Sequence, residues 1–121
     1  MKETTTEKRC QRGDVYWFDL SKVYNGYRGS IQNGIRPVLV VQNDMGNSYS
    51  STVLVASLTS SKSKNNLPTH SKITNGLRCE STMIGEQIFT VLQKDLGHYI
   101  CHISGEELSQ ASKALAVSLA L

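Results

Sequence analysis

Two short apolar runs constrain this chain more than any other feature. Pro37-Val38-Leu39-Val40-Val41 is uninterrupted, and Val53-Leu54-Val55-Ala56-Ser57-Leu58 is broken only by one serine. Runs of strand length, rich in β-branched residues and without alternation, are what strands covered on both faces look like. They are far below the roughly 20 apolar residues of a membrane-crossing helix. The spacing predicts strands over Arg36–Asp44 and Thr52–Thr59, with the Gly, Asn and Ser of Met45–Ser51 forming the turn between them. Pro37 falls at the start of the first strand, where a missing N–H is tolerated.

The other elements are arranged around these two. Arg12-Gly13-Asp14 leads into Val15–Leu20, an aromatic and β-branched run that reads as a strand. Short strands are expected over Thr69–Ile73 and Ser81–Gly85, about a turn at Asn75-Gly76, and again over Gln87–Val91 and His98–Ile103. The last segment is helical: Ser104 and Glu107 fit a capping box, and Leu108, Ala111, Leu115 and Leu119 repeat at helical spacing. Residues 1–11 read as a flexible tail and 12–121 as a single domain. Ser21–Ile35, with Gly26, Gly29 and Gly34, reads as a long mobile loop, and Ser60–Pro68 as another polar one. The expected class is therefore mainly β with helices (α+β), a small curved sheet or barrel closed by one terminal helix.

Composition narrows function only slightly. A net charge of +3 and a pI near 8.8 tolerate a phosphate backbone without announcing one. Met1–Cys10 is polar and lacks an apolar signal core, and no segment reads as a membrane span. The three cysteines, Cys10, Cys79 and Cys101, are odd in number and widely spaced, which suits reduced thiols rather than a disulfide scaffold. His98 and His102 are four residues apart, with Cys101, Cys79 and His70 as further possible ligands. On a strand that spacing does not converge, no C-x-x-C or H-E-x-x-H pattern exists, and no metal or cofactor is expected. The glycines of 26–34 are followed by neither a P-loop lysine motif nor a helix start. What remains is a set of polar residues at strand ends: Arg36 before the first apolar run, Thr59 and Ser60 after the second, and Gln87 at the head of a later strand. If neighbouring strands align these ends, a guanidinium, a hydroxyl and an amide face one groove.

Several of these segments, taken in order, resemble the MazF/PemK toxins. They are Arg12-Gly13-Asp14-Val15-Tyr16, then Gly34-Ile35-Arg36-Pro37-Val38-Leu39-Val40-Val41-Gln42-Asn43-Asp44, Leu58-Thr59, Leu67-Pro68-Thr69-His70, Glu86-Gln87-Ile88 and the closing helix of Ala114–Leu121. The resemblance implies an SH3-like barrel of the plasmid-maintenance-toxin type, with a C-terminal helix. It implies a metal-independent endoribonuclease of a bacterial type II toxin–antitoxin pair, cytoplasmic and homodimeric. Such an enzyme cuts single-stranded mRNA at short, often ACA-containing motifs, leaving 2′,3′-cyclic phosphate and 5′-OH ends. A MazE-like antitoxin would neutralise it, and the complex of the two could reach its own operator DNA. The family's catalytic arginine and threonine fall on Arg36 and Thr59, and its RNA-contacting positions on Gln32, Ser60 and Gln87. The glutamate that many members carry five residues before the arginine is replaced here by Ile31, which leaves Glu86 as a candidate for proton transfer. The competing reading is a CcdB-like toxin, which uses the same barrel to bind gyrase and has no use for the Arg36–Thr59 pair.

Overall fold

The computed structural model describes residues 9–24, 34–60, 67–74, 76–77 and 80–121. Among these, six strands form one antiparallel sheet: β1 (Asp14–Asp19), β2 (Ile35–Val40), β3 (Thr52–Thr59), β4 (His70–Ile73), β5 (Ser81–Leu92) and β6 (Tyr99–His102), in the order β4-β5-β3-β2-β1-β6. Three helices accompany them, α1 (Ser21–Tyr24), α2 (Asp44–Tyr49) and α3 (Gly105–Leu119). The sheet curls until the connection after β4 meets the far edge. A β-carbon at Gly76, whose φ is +82°, would come within 2.8 Å of Cys101 Cβ on β6, so that approach requires glycine.

Alternation along the central strands feeds two cores. Leu39, Ala56, Leu58 and Met83 face α3 and pack with Ala111, Ala114 and Leu115, while Val38, Val40, Val53 and Val55 face the other way and pack with Cys10, Phe18 and Val91. This is why both apolar runs lack alternation: each strand is covered on both sides. α3 begins with the serine half of the expected capping box, Ser104 Oγ accepting from the Glu107 N–H at 3.1 Å, while Glu107 Oε2 accepts from the N–H and hydroxyl of Thr74. Leu119, expected on its packed face, is instead about half exposed near the helix end.

Several boundaries differ from the sequence expectation, each for an identifiable reason. The first apolar strand ends at Val40, because Asn43 caps a helix rather than continuing the strand. Its side chain accepts from Gly46 N at 2.8 Å, so Met45–Ser51 holds most of α2 instead of a plain turn. The Ser21–Ile35 loop opens with α1, where Asp19 accepts from both the backbone N–H and the hydroxyl of Ser21; residues 25–33 lie outside those described. The strands expected at Ser81–Gly85 and Gln87–Val91 are one continuous strand carrying a bulge. Ser57 pairs with Ile84 and Ala56 with Ile88, so Gly85, Glu86 and Gln87 are passed over in the ladder. The final strand is two residues shorter than expected, at Tyr99–His102. Order also begins before Arg12. Cys10 is buried, and the Arg9 guanidinium donates to the carbonyls of Asn47 and Ser50.

Arg12-Gly13-Asp14 turns out to be a structural junction. The Arg12 guanidinium donates to the Val41 carbonyl and to Ser112 Oγ, joining the sheet to α3. Gly13 has φ +98°, donates to Val40 O and accepts from Ile103 N. Buried Asp14 accepts from Gln11 N, from Tyr16 Oη and from His102 Nδ1. Burial, then the Asp14 carboxylate, push the Tyr16 phenol well above its ordinary value.

Candidate active site

Pro37 shapes the site. β2 pairs with β1 from Ile35 onward, but its ladder with β3 starts only at Val38, opposite Ser57. A proline offers no N–H, so the β2–β3 ladder stops one residue short of it. Continuing the same offset past that last pair sets Arg36 opposite Thr59. Both share strand parity with Val38 and Val55, and therefore project from the sheet face away from α3. The ladder itself ends at Val38 and Ser57, two residues short of Arg36 and Thr59. Arg36 is exposed and Thr59 half-buried. Among the described residues no carboxylate forms an ion pair with the Arg36 guanidinium, which leaves a fixed cation at the strand end for an anionic ligand.

A cleft of about 660 Å³ opens beside Arg36, and Thr59 is not among the residues that line it. Its apolar wall comes from Trp17, Ile35, Pro37, Leu58, Leu77 and Ile100, with Arg36, Ser60, Ser81 and Tyr99 contributing polar atoms. Ser60 lines the same cleft as Arg36. Trp17 and Tyr99 were not singled out from the sequence as site residues. Their signal was there, since Trp17 alternates out of phase with buried Phe18 and is 44% exposed.

Glu86 and Gln87 sit in the β5 bulge, and neither lines this cleft. Glu86 is held by Thr69, whose Oγ1 donates to Oε1 at 2.8 Å, and by His70 Nε2, 3.1 Å from Oε2. Partial burial acts to raise the pKa of Glu86, but the bonds from Thr69 and His70 outweigh it and hold the carboxyl below its ordinary value. That direction makes Glu86 a weaker base. Gln32 and Ile31 lie outside the described residues, as does Cys79.

The histidines considered as metal ligands have other engagements. His70 joins Glu86 and His102 joins Asp14, while His98 is exposed. Among the described residues no three His, Cys, Asp or Glu side chains gather as a ligand set. No described helix is long and apolar enough to cross a membrane.

Residues 11–119 match the PemK-like, MazF-like toxins of type II toxin–antitoxin systems. The chain belongs to that family. It is 44% identical over 114 residues to Endoribonuclease EndoA of Bacillus subtilis, a match covering 92% of this chain and 95% of the relative. It is a MazF-like endoribonuclease toxin. Among solved structures, a mycobacterial endoribonuclease in complex with its cognate antitoxin superposes with a TM-score of 0.75 at 25% identity, covering 93% of this chain and 96% of that one. MazF from Deinococcus radiodurans gives 0.74 at 16% identity, over 95% and 100% of the two chains, and speaks for the fold alone. The curled sheet with its C-terminal helix is thus the toxin barrel that the sequence resemblance implied.

Proposed function

We propose that this toxin is a sequence-specific, metal-independent endoribonuclease that cuts single-stranded mRNA at short words of the ACA-containing kind, with Arg36 and Thr59 as its catalytic pair. The observation that supports the reading is that Arg36 and Thr59 each lie two residues beyond Val38 and Ser57, the last pair of the β2–β3 ladder, where the same offset would set them opposite one another. RNA brings its own nucleophile, a 2′-OH that DNA lacks. Its oxygen attacks the adjacent phosphorus, the bond to the 5′-oxygen breaks, and a 2′,3′-cyclic phosphate and a 5′-OH result. The 2′ proton passes to water and the departing oxygen takes one from water. Negative charge grows on the non-bridging oxygens, where the forked donors of a guanidinium are worth most. The Thr59 hydroxyl donates to the same phosphate. Ser60, Gln87 and Gln32 contact the RNA, an amide being able both to donate to and accept from a base edge. Glu86 is the residual candidate for moving the proton. Its bonds to Thr69 and His70 favour a positioning role, in which it fixes the bulge that carries Gln87.

The toxin is proposed to act as a homodimer in the bacterial cytoplasm. Support comes from the edge strands β4 and β6 and from Val117, Leu119 and Leu121, which leave apolar surface exposed near the end of α3. A MazE-like antitoxin is proposed to inhibit it by laying an acidic, partly apolar segment over the groove beside Arg36. The deciding experiment incubates the protein with a long RNA in EDTA and sequences the new 5′ ends. Discrete cuts at one short word support the reading. Intact RNA together with inhibited gyrase would replace it with the CcdB-like alternative.

A further inference from the structure

The sheet register extends the Arg36–Thr59 pair into a longer row. Thr59 pairs with Thr82 on β5, and Thr82 pairs with Lys72 on the edge strand β4. Directly opposed residues in an antiparallel sheet present their side chains on the same face. Thr59, Thr82 and Lys72 therefore share one transverse row, and the β2–β3 offset, continued two residues past Val38 and Ser57, would bring Arg36 to its other end. The neighbouring row on that face, Val38, Ser57, Ile84 and His70, is buried or half-buried, whereas Arg36 and Lys72 are exposed and the two threonines partly so. The polar line is thus the accessible margin of this face.

We propose that Thr82 and Lys72 continue the RNA contact of the catalytic pair, as a phosphate-binding track running across β5 to the sheet edge. The proposal rests on the endoribonuclease reading and adds to it a direction for the bound strand. At about 4.8 Å per strand, three steps from Arg36 to Lys72 span about 14 Å. That is at most about four nucleotides at a stacked rise of about 3.4 Å, and fewer if the strand is extended. Contacts to phosphate oxygens carry no sequence information, so the track would position RNA and leave word choice to other residues. Lys72 Nζ now lies 3.2 Å from Glu80 Oε2, with both side chains more than half exposed. An exposed pair of this kind is worth little and can exchange its carboxylate for a phosphate.

The test uses the purified full-length toxin, after its cleavage word is mapped, with a 2′-O-methylated single-stranded RNA carrying that word as an uncleavable probe. Affinity is read by fluorescence anisotropy between 50 and 200 mM salt. Lys72→Gln should weaken binding and lower the slope of log affinity against log salt by about 0.7, the value for one released counterion on a single strand. Over that fourfold salt range the gap between wild type and variant then changes about 2.6-fold. Thr82→Val should weaken binding at every salt concentration with no change of slope. Glu80→Gln should tighten binding, because it removes a carboxylate that competes with phosphate. An unchanged slope for Lys72→Gln in a toxin that cuts RNA overturns the track and leaves the nuclease reading standing. So do shifts in the same direction for Lys72→Gln and Glu80→Gln, the behaviour of a purely structural ion pair. A wild-type protein that cuts no RNA overturns both.

Discussion

Replacing Arg36 by alanine should separate catalysis from folding. The side chain is exposed, it sits past the end of the β2–β3 ladder, and among the described residues no carboxylate forms an ion pair with it. Its ladder partner on β1 is Phe18, which is buried among the residues of the second core. The loss of fold stability should therefore stay within about 1 kcal/mol, the span of strand preference at a surface position. The rate should respond very differently. One preorganised donor aimed at charge that develops in the transition state is worth about a hundredfold or more, roughly 2.7 kcal/mol upward. Because that interaction strengthens as the reaction proceeds, the loss belongs in the chemical step and not in RNA affinity. Single-turnover cleavage of a defined RNA gives the rate, anisotropy with an uncleavable analogue gives the affinity, and a urea melt gives the stability. Arg36→Lys should restore only part of the rate, since an ammonium lacks the fork. An Arg36→Ala protein that is folded and cuts within about threefold of wild type would refute the catalytic assignment. A variant that loses stability and rate together would refute the claim that Arg36 stands outside the packing.

Gly13→Ala should cost about 2–4 kcal/mol in a urea melt at unchanged m-value. It forces a side chain to φ +98° and disturbs the backbone bonds to Val40 and Ile103; a cost under 0.5 kcal/mol would contradict this. The Cys10 thiol is pushed up to about 11 by burial first and by Asp14 next, so native protein at neutral pH should leave it unlabelled by iodoacetamide until the chain is unfolded. Glu86 titrates below its ordinary 4.5 in the folded protein, so the bonds from Thr69 and His70 stabilise the fold above that pH, and the benefit is lost as pH falls through the lower folded value. Glu86→Gln should flatten that acid limb of a stability–pH curve. The same variant, if Glu86 only positions the bulge, should lower the cleavage rate without removing an ionisation from the pH–rate profile.

The two apolar runs carried most of the fold, because doubly covered strands need residues that satisfy two cores at once. Their alternating assignment, Leu39 to one side and Val38 and Val40 to the other, follows directly from a period of two. Local capping chemistry was harder to see. Asn43-Asp44 starts α2 in a segment whose Gly46, Asn47 and Ser48 all have poor helix propensity, so the turn signal concealed a helix. There a cap at 2.8 Å and a buried Asn47, bonded to Gln42 and Asp44, decide the outcome.

The candidate site could be proposed from the sequence residue by residue, but its register could not. Polar groups at strand ends are common, and nothing in a linear sequence says which ends meet. β2 keeps its pairing with β1 through Arg36 and Ile35, while its ladder with β3 ends at Val38, next to a proline that has no N–H to give. The bulge at Gly85, Glu86 and Gln87 works in the opposite sense. It carries the Glu86–Gln87 pair out of ladder register with β3, so residues adjacent in the family motif do not line the cleft beside Arg36. On the near side of that bulge Thr82 and Lys72, which no motif marks, stay in register with Thr59. Which residues can share one RNA strand is therefore set by pairing and bulges, and these are properties of the folded sheet rather than of any segment within it.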